Sequence, residues 1–303
     1  MIGLGRRLYR AYRRTTLATS SLTEARRPPL TEAPRVDGHR FLFIGGLHRS
    51  GTSIIHRLLR EHPDASGLND TPAPEDEGQH LQSVFPPARM FGGPGRFAFA
   101  EDAHMIETSD RVSEENRRKL LCEWGPYYDF SKKVLLEKSP PNLIRSRFLQ
   151  AMFPGARFIF VVRHPIAVSC ATRKWSNTHM LELLFHWCVA HQILMQDLQQ
   201  LDRAMVIRYE DFVSKPHVFL KEICHFTGLE SFTPRETVSD HNQEYFARWK
   251  NEIARSTPNL EGLLNAARGP IAKFGYRLSE PFVSSWTPEE LERQSISSSD
   301  QAR

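Results

Sequence analysis

Residues 41–53 read Phe-Leu-Phe-Ile-Gly-Gly-Leu-His-Arg-Ser-Gly-Thr-Ser. The apolar run Phe41 to Ile44 predicts a buried strand, and Gly45 and Gly46 end it. Beyond Thr52, Ile54, Ile55, Leu58 and Leu59 recur at helical spacing, which predicts a helix over Thr52–Glu61. A strand, a glycine turn and a helix start direct free backbone N–H groups and the positive end of the helix dipole at one point. That point suits a phosphate or a sulfate. His48, Arg49, Ser50, Gly51, Thr52 and Ser53 are the candidate anion-binding residues. The alternative is a turn that only joins a strand to a helix. The hydroxyls and the arginine packed around the helix start favour the anion.

Gly46 and Gly51 have the spacing of a nucleotide P-loop, but Thr52 stands where that motif carries lysine. The missing lysine would reach the β/γ-phosphates, so NTP hydrolysis and kinase chemistry are disfavoured.

Outward from this loop, strands and helices alternate. Val134–Glu137, Arg157–Arg163 and Ala204–Tyr209 read as strands. Met105–Trp124, Asn142–Met152, Ile166–Arg173, Leu181–Asp202 and Pro216–Thr227 read as helices, and 63–100 is rich in Pro and Gly and reads as irregular. The pattern predicts an α/β fold of three layers, a central and mainly parallel sheet flanked by helices. Ligands of such sheets bind beyond the carboxyl ends of the strands, where the polar motifs fall.

Composition narrows the function classes. Residues 1–40 carry nine arginines and three acids, net +6, which leaves the rest of a chain of net +5 at −1. A body that close to neutral argues against a nucleic-acid groove. The basic segment 1–36 reads as a loosely docked tail, a membrane-surface helix giving peripheral membrane contact, or a transit segment. Residues 37–285 are expected to form one domain, followed by a polar tail over 286–303. Cys122, Cys170, Cys188 and Cys224 lack Cys-x-x-Cys spacing and read as small buried hydrophobes of a reducing, cytoplasmic compartment. No apolar run is long enough to span a membrane.

Three strand ends carry further chemistry. Glu137-Lys138-Ser139-Pro140-Pro141-Asn142 places Lys138 at the edge that holds the glycine loop; the alternative is a solvated lysine. Arg163 leaves the strand Phe158–Val162 at the same edge, with Ser169 and Thr172 on the next helix. It is suited to grip a phosphate bidentately, or to form a structural ion pair. Tyr209, in Arg208-Tyr209-Glu210-Asp211, offers a flat ring to a nucleobase or belongs to the core.

Taken together, these motifs resemble the sulfotransferases that use 3′-phosphoadenosine 5′-phosphosulfate (PAPS), over about Arg40 to Gly228. Gly45–Ser53 looks like their 5′-phosphosulfate loop, and Arg157–Trp175 like their 3′-phosphate segment. Tyr209-Glu210-Asp211 resembles their third recognisable stretch. Lys138-Ser139-Pro140 is similar to the lysine turn of tyrosylprotein and bacterial types. The resemblance implies a P-loop-NTPase-like fold and transfer of a sulfuryl group to an acceptor hydroxyl on a sugar, lipid, phenol or tyrosine. The product nucleotide would be 3′,5′-adenosine bisphosphate (PAP), and no metal is expected. By the same resemblance Arg49 to Ser53 hold the phosphosulfate, Arg163 the 3′-phosphate and Tyr209 the adenine, while Lys138 neutralises the leaving group. The family serine eight residues after the arginine is here Ala171, so Thr172, or else Ser169, is expected to substitute.

The acceptor hydroxyl needs a general base. In related enzymes the base lies after the first helix, where this chain has Glu75, Asp76, Glu77 and His80. Clustered carboxylates raise one another's pKa. Glu77 is preferred, then Glu75, then His80; a solvated acidic loop is the alternative. Two other functions stay open: an atypical P-loop kinase or NTPase using Glu210 and Asp211 for a metal, and a non-catalytic nucleotide-binding protein.

Overall fold

The computed structural model describes residues 27–236, 242–253, 260–279 and 296–297. Most of the basic N-terminal segment and all but two residues of the polar tail lie outside them, so the readings placed there lie outside the described residues too.

In chain order the strands are β1 (Arg40–Gly46), β2 (Ala65–Gly67), β3 (Val134–Lys138), β4 (Arg157–Val162), β5 (Arg203–Arg208) and β6 (Ile296–Ser297). The helices are α1 (Thr52–Arg60), α2 (Glu114–Trp124), α3 (Ser146–Met152), α4 (Pro165–Arg173) and α5 (Met180–Asp197). They continue with α6 (Tyr209–Ser214), α7 (Pro216–Thr227), α8 (Asn242–Ile253) and α9 (Leu260–Ala272). The sheet order is β2-β3-β1-β4-β5-β6, parallel except where β6 pairs with β5. β1 sits at the centre with crossovers leading to both sides of it, the arrangement that opens a crevice at the carboxyl edge.

Alternation along the strands creates the layers. Phe41, Phe43, Leu135, Phe158 and Phe160 face one core, where Leu120 and Trp124 of α2, Phe148 of α3 and Trp187 of α5 pack. Leu42, Ile44, Leu136, Ile159 and Ile207 face the other, against Ile55, Leu58 and Leu59 of α1 and Ile223 of α7. The expected three-layer α/β architecture is therefore the one observed.

Several boundaries differ from the sequence reading, each for a local reason. The helix expected from Met105 starts at Glu114, because Ser113 Oγ caps it by accepting the Asn116 N–H at 3.1 Å. The Met105 amide instead donates to the Ile144 carbonyl. The helix expected over Asn142–Met152 is split. Pro140 and Pro141 start a tight 3₁₀ turn over Pro140–Ile144, and Arg145 breaks from helical geometry before α3. The long helix stops at Asp197 and passes into a 3₁₀ turn over Leu198–Gln200. Tyr209 opens α6 rather than ending β5. Ala65-Ser66-Gly67 forms a strand although its small side chains gave no periodic signal. No helix among the described residues is long and apolar enough to cross a membrane.

Candidate active site

The glycine loop is shaped by its backbone. Gly46 has φ 159° and Gly51 φ 108°, and Arg49 adopts φ 70° between them. Side chains are excluded at all three glycines: a Cβ on Gly46 would lie 2.5 Å from the Val161 carbonyl oxygen. A Cβ on Gly45 would lie 2.6 Å from the Leu143 nitrogen, and one on Gly51 2.5 Å from the Tyr209 ring. Gly51 caps α1 without a side-chain bond, so the first-turn amides of α1 stay directed into the loop. Ser50 Oγ, in a residue only 1% exposed, has no hydrogen-bond partner among the described residues. A buried hydroxyl left unspent beside a helix N-terminus fits an anion that would complete its hydrogen bonding.

Parallel register brings the other motifs to the same edge: Ile44 lies beside Lys138, Gly46 beside Val161 and Val162 beside Arg208. Lys138 is fully buried, and its Nζ lies 3.4 Å from Glu77 Oε1. Gln79 Nε2 donates to Glu77 Oε2 at 2.6 Å, and His80 Nε2 lies 3.7 Å from the same oxygen. Burial pushes the Glu77 carboxyl up, against the opposing pull of Lys138 and Gln79. Burial, then Arg89, Lys138 and Arg145, push His80 down to about 4. Burial, then Lys138 and His80, push His48 down to about 3. Lys138, Glu77, His80 and His48 thus form one cluster at the mouth of the loop.

The neighbouring acids are used otherwise. Asp76 Oδ1 accepts the Thr71 N–H and hydroxyl, both at 2.9 Å, and its Oδ2 pairs with Arg60 at 3.3 Å. Glu75 is exposed, with φ 55°. Mutual repulsion of clustered carboxylates was the expected cause of a raised pKa. In the structure burial is the main cause, and Glu75 contributes least.

Across the loop, Arg163 is 8% exposed, and Nε and Nη2 both donate to Asn242 Oδ1, at 2.9 and 2.7 Å. Its Nη1 donates to the Arg49 carbonyl at 3.0 Å, joining it to the glycine loop. The guanidinium lies 4.2 Å from the centre of the Tyr209 ring. Behind it, Glu210 accepts from Asn242 Nδ2 (2.6 Å), the His164 N–H (3.0 Å) and the Tyr276 hydroxyl (2.7 Å).

A match to the sulfotransferase family model spans residues 42–234 and covers the carboxyl ends of β1 to β5. The chain belongs to the sulfotransferase family. It is similar to protein-tyrosine sulfotransferase 1 of Danio rerio, 24% identical over 196 residues, 62% of this chain and 53% of that one. It is also similar to protein-tyrosine sulfotransferase 2 of Gallus gallus, 23% identical over 197 residues, 62% of this chain and 51% of that one. The chain spans about half the length of these curated relatives. Among solved structures it resembles sulfotransferase STF1 of Mycobacterium tuberculosis, with TM-score 0.49, 16% identity and coverage of 77% and 78% of the two chains. The sulfotransferase domain of a Synechococcus olefin synthase gives TM-score 0.46 and 18% identity, covering 84% of this chain and all of that one.

Of the residues singled out in the sequence of this sulfotransferase, the structure gathers the loop, Lys138, Glu77, His80 and Arg163 at one edge. It leaves Glu75 on the surface. Tyr209 is 4% exposed, with Arg163 over one face and Gly51 at its edge, so the ring meets protein where a nucleobase was expected. Ser169 and Thr172 line a small cavity of about 10 Å³ with His48 and His186, room for about one water. Thr172 Oγ1 reaches the His48 carbonyl at 3.4 Å, while Ser169 Oγ has no partner among the described residues. Sequence reasoning missed Asn242 and Glu210 as supports of Arg163, because they lie 79 and 47 positions beyond it in the chain. It also passed over Trp175, 74% exposed, whose ring lies 5.6 Å from the Arg49 guanidinium. Only its place after the α4 segment could have pointed to it.

Proposed function

We propose that this sulfotransferase moves the sulfuryl group of PAPS to an acceptor hydroxyl, with Glu77 as general base and Lys138 as the partner of the departing nucleotide. The observation that carries the reading is the buried Glu77–Lys138 pair, 3.4 Å apart at the mouth of the anion loop. PAPS supplies an activated sulfuryl group on a 5′-phosphate. The first-turn amides of α1 and the unspent Ser50 hydroxyl hold the 5′ anion, with Arg49, Gly51, Thr52 and Ser53 completing the loop. Arg163 binds the 3′-phosphate, with Ser169 rather than Thr172 as the helping hydroxyl, since Ser169 has none of its hydrogen bonding spent. Tyr209 seats the guanidinium.

Glu77 takes the acceptor proton on its carboxylate. Burial favours the protonated product of that step, and Lys138 keeps the starting carboxylate ionised. His80, at about 4, is the weaker base of the two and stays neutral beside Glu77 at neutral pH. Lys138 holds a positive charge against the leaving group, the part played by electrostatic preorganisation in transfers of this kind. The resemblance to protein-tyrosine sulfotransferases makes a tyrosyl hydroxyl one acceptor among sugar, lipid and phenol. Four cysteines free of disulfides support a cytoplasmic site of action.

Thermal unfolding with added ligand tests the donor class, because a ligand of the native state alone raises the melting temperature by mass action. PAP at 100 times its Kd stabilises by about 2.7 kcal/mol, while ATP with Mg²⁺ gives no comparable shift. A shift with ATP and Mg²⁺ alone supports the P-loop kinase reading instead. A PAP shift without transfer from labelled PAPS to any hydroxyl in an acceptor screen makes the chain a nucleotide-binding protein.

A further inference from the structure

Glu137 is a buried carboxylate with no place in the proposed chemistry, yet every contact it makes leads to groups that have one. Its Oε1 accepts the Gly78 N–H at 2.9 Å and the Ser139 hydroxyl at 2.6 Å, and its Oε2 accepts Asn142 Nδ2 at 2.5 Å. Gly78 directly follows Glu77. Its carbonyl is held in turn by Trp124 Nε1 at 3.0 Å, so the residue beside Glu77 is held through both its N–H and its carbonyl. Ser139 directly follows Lys138, and its Oγ accepts the Gln79 N–H at 3.1 Å. Asn142 Nδ2 also donates to the Ile44 carbonyl at 3.2 Å, on the strand that leads into the anion loop. Closeness is enforced on both sides: a Cβ on Gly78 would lie 2.6 Å from Glu137 Oε1, and one on Gly45 2.9 Å from the Asn142 carbonyl carbon.

We propose that Glu137 is a positioning residue for sulfuryl transfer. By accepting from Gly78, Ser139 and Asn142 at once, it sets Glu77 against Lys138 and ties both to the anion loop. The proposal rests on Glu77 as general base. All three partners are donors, so only an acceptor-only group satisfies them together, and a carboxylate is that group. Glutamine keeps the volume but turns one oxygen into a donor. Its NH₂ then faces either Asn142 Nδ2 or the Gly78 and Ser139 pair. Turning the Asn142 amide to compensate gives up the bond to Ile44.

The test is a double-mutant cycle on the full chain, with PAP binding read by calorimetry and transfer read with labelled PAPS. Glu137→Gln is expected to lower kcat by about tenfold or more, as displacement of a reacting group does, with the Kd for PAP within about threefold of wild type. In the Glu77→Gln background the same substitution is expected to slow the residual rate by a smaller factor, because only the placing of Lys138 is then left to lose. An unchanged kcat overturns the proposal. So does a kcat lowered by the same factor in both backgrounds, or a PAP affinity lowered as much as kcat. Should Glu137→Gln fail to fold, Ser139→Ala removes one of the three donors: a kcat several-fold lower at unchanged PAP affinity supports the proposal, and a wild-type kcat overturns it. A wild-type rate in Glu77→Gln alone is a different result, since it removes the base reading itself.

Discussion

Around Gly45–Ser53 the backbone shapes the candidate anion loop, whereas across the crevice residues 68–105 contain only short 3₁₀ turns and are fixed by buried side chains. In the first region, positive φ at Gly46, Arg49 and Gly51 aims amides at one point, and Ser50 Oγ and His48 Nδ1 have no hydrogen-bond partner among the described residues. In the second, Gln82 donates to the Gln79 and Phe85 carbonyls and accepts from the Val84 and Phe85 amides. Gln79 Oε1 accepts the Ala88 N–H, and Arg145 spans the Ala103 and Pro86 carbonyls. A loop without regular structure must satisfy its backbone groups by such bonds once it is buried. A candidate binding loop can thus be built from conformation, while the loop bearing the proposed base has to be built from a polar network. The two regions should therefore break differently.

The largest expected effect belongs to the second region. Glu77→Gln lowers kcat by about 10²–10⁴-fold and leaves PAP affinity near wild type; equal losses in both would place Glu77 in binding instead. Because burial holds the Glu77 pKa above its usual range, the acidic limb of the wild-type kcat–pH profile is displaced upward in pH and is absent in this variant. In the first region, Gly51→Ala meets both an unfavourable φ and the Tyr209 ring. It costs about 2–5 kcal/mol in chemical denaturation and weakens PAP binding as well. A variant with wild-type PAP affinity would separate the loop from the donor.

Gln82→Ala strands buried amides and carbonyls. It lowers stability by about 1–3 kcal/mol while PAP affinity stays near wild type, and a loss of affinity would show that the two regions are coupled.

The smallest effect per residue sharpens the boundary between the regions. The Phe97 ring lies 5.7 Å from the His48 ring and 4.9 Å from that of His186. His48, His186 and, farther along α5, His191 are each pushed from 6.5 to about 3, burial being the first cause. Their folded-state pKa values are depressed, so they stabilise the fold fully above about pH 6.5 and lose that contribution as the pH falls toward 3. Each histidine costs about 1 kcal/mol between about pH 6.5 and 5.5, readable as a falling urea midpoint. A midpoint flat across that range would mean these rings are protonated in the fold.

Legibility in the sequence follows the same division. Phe41–Ile44, Phe158–Val162 and the α1 pattern Ile54, Ile55, Leu58 and Leu59 are periodic, and local periodicity is a signal a single sequence carries. Parallel order then gathers Lys138 and Arg163 without any further information. The region 68–105 has no period, and its bonds run from Gly78 to Glu137 or from Pro86 to Arg145, at separations no local pattern encodes. In the sequence Glu77 stands beside Glu75, Asp76 and His80 as a candidate base; what supports it is burial against Lys138, a property of the folded state.

By itself, then, the amino-acid sequence determined the three-layer α/β plan, the anion loop, its missing lysine and the strand ends that carry Lys138 and Arg163. These depend on hydrophobic period, glycine conformation and chain order, all local. Only the tertiary structure decided that Tyr209 lies beneath Arg163, that Glu75 stands outside while Glu77 turns inward, and that Glu137 joins Gly78, Ser139 and Asn142. Those outcomes depend on desolvation and on hydrogen bonds between residues far apart in the chain. They arise when the loop closes over the sheet and each buried polar group must find a partner.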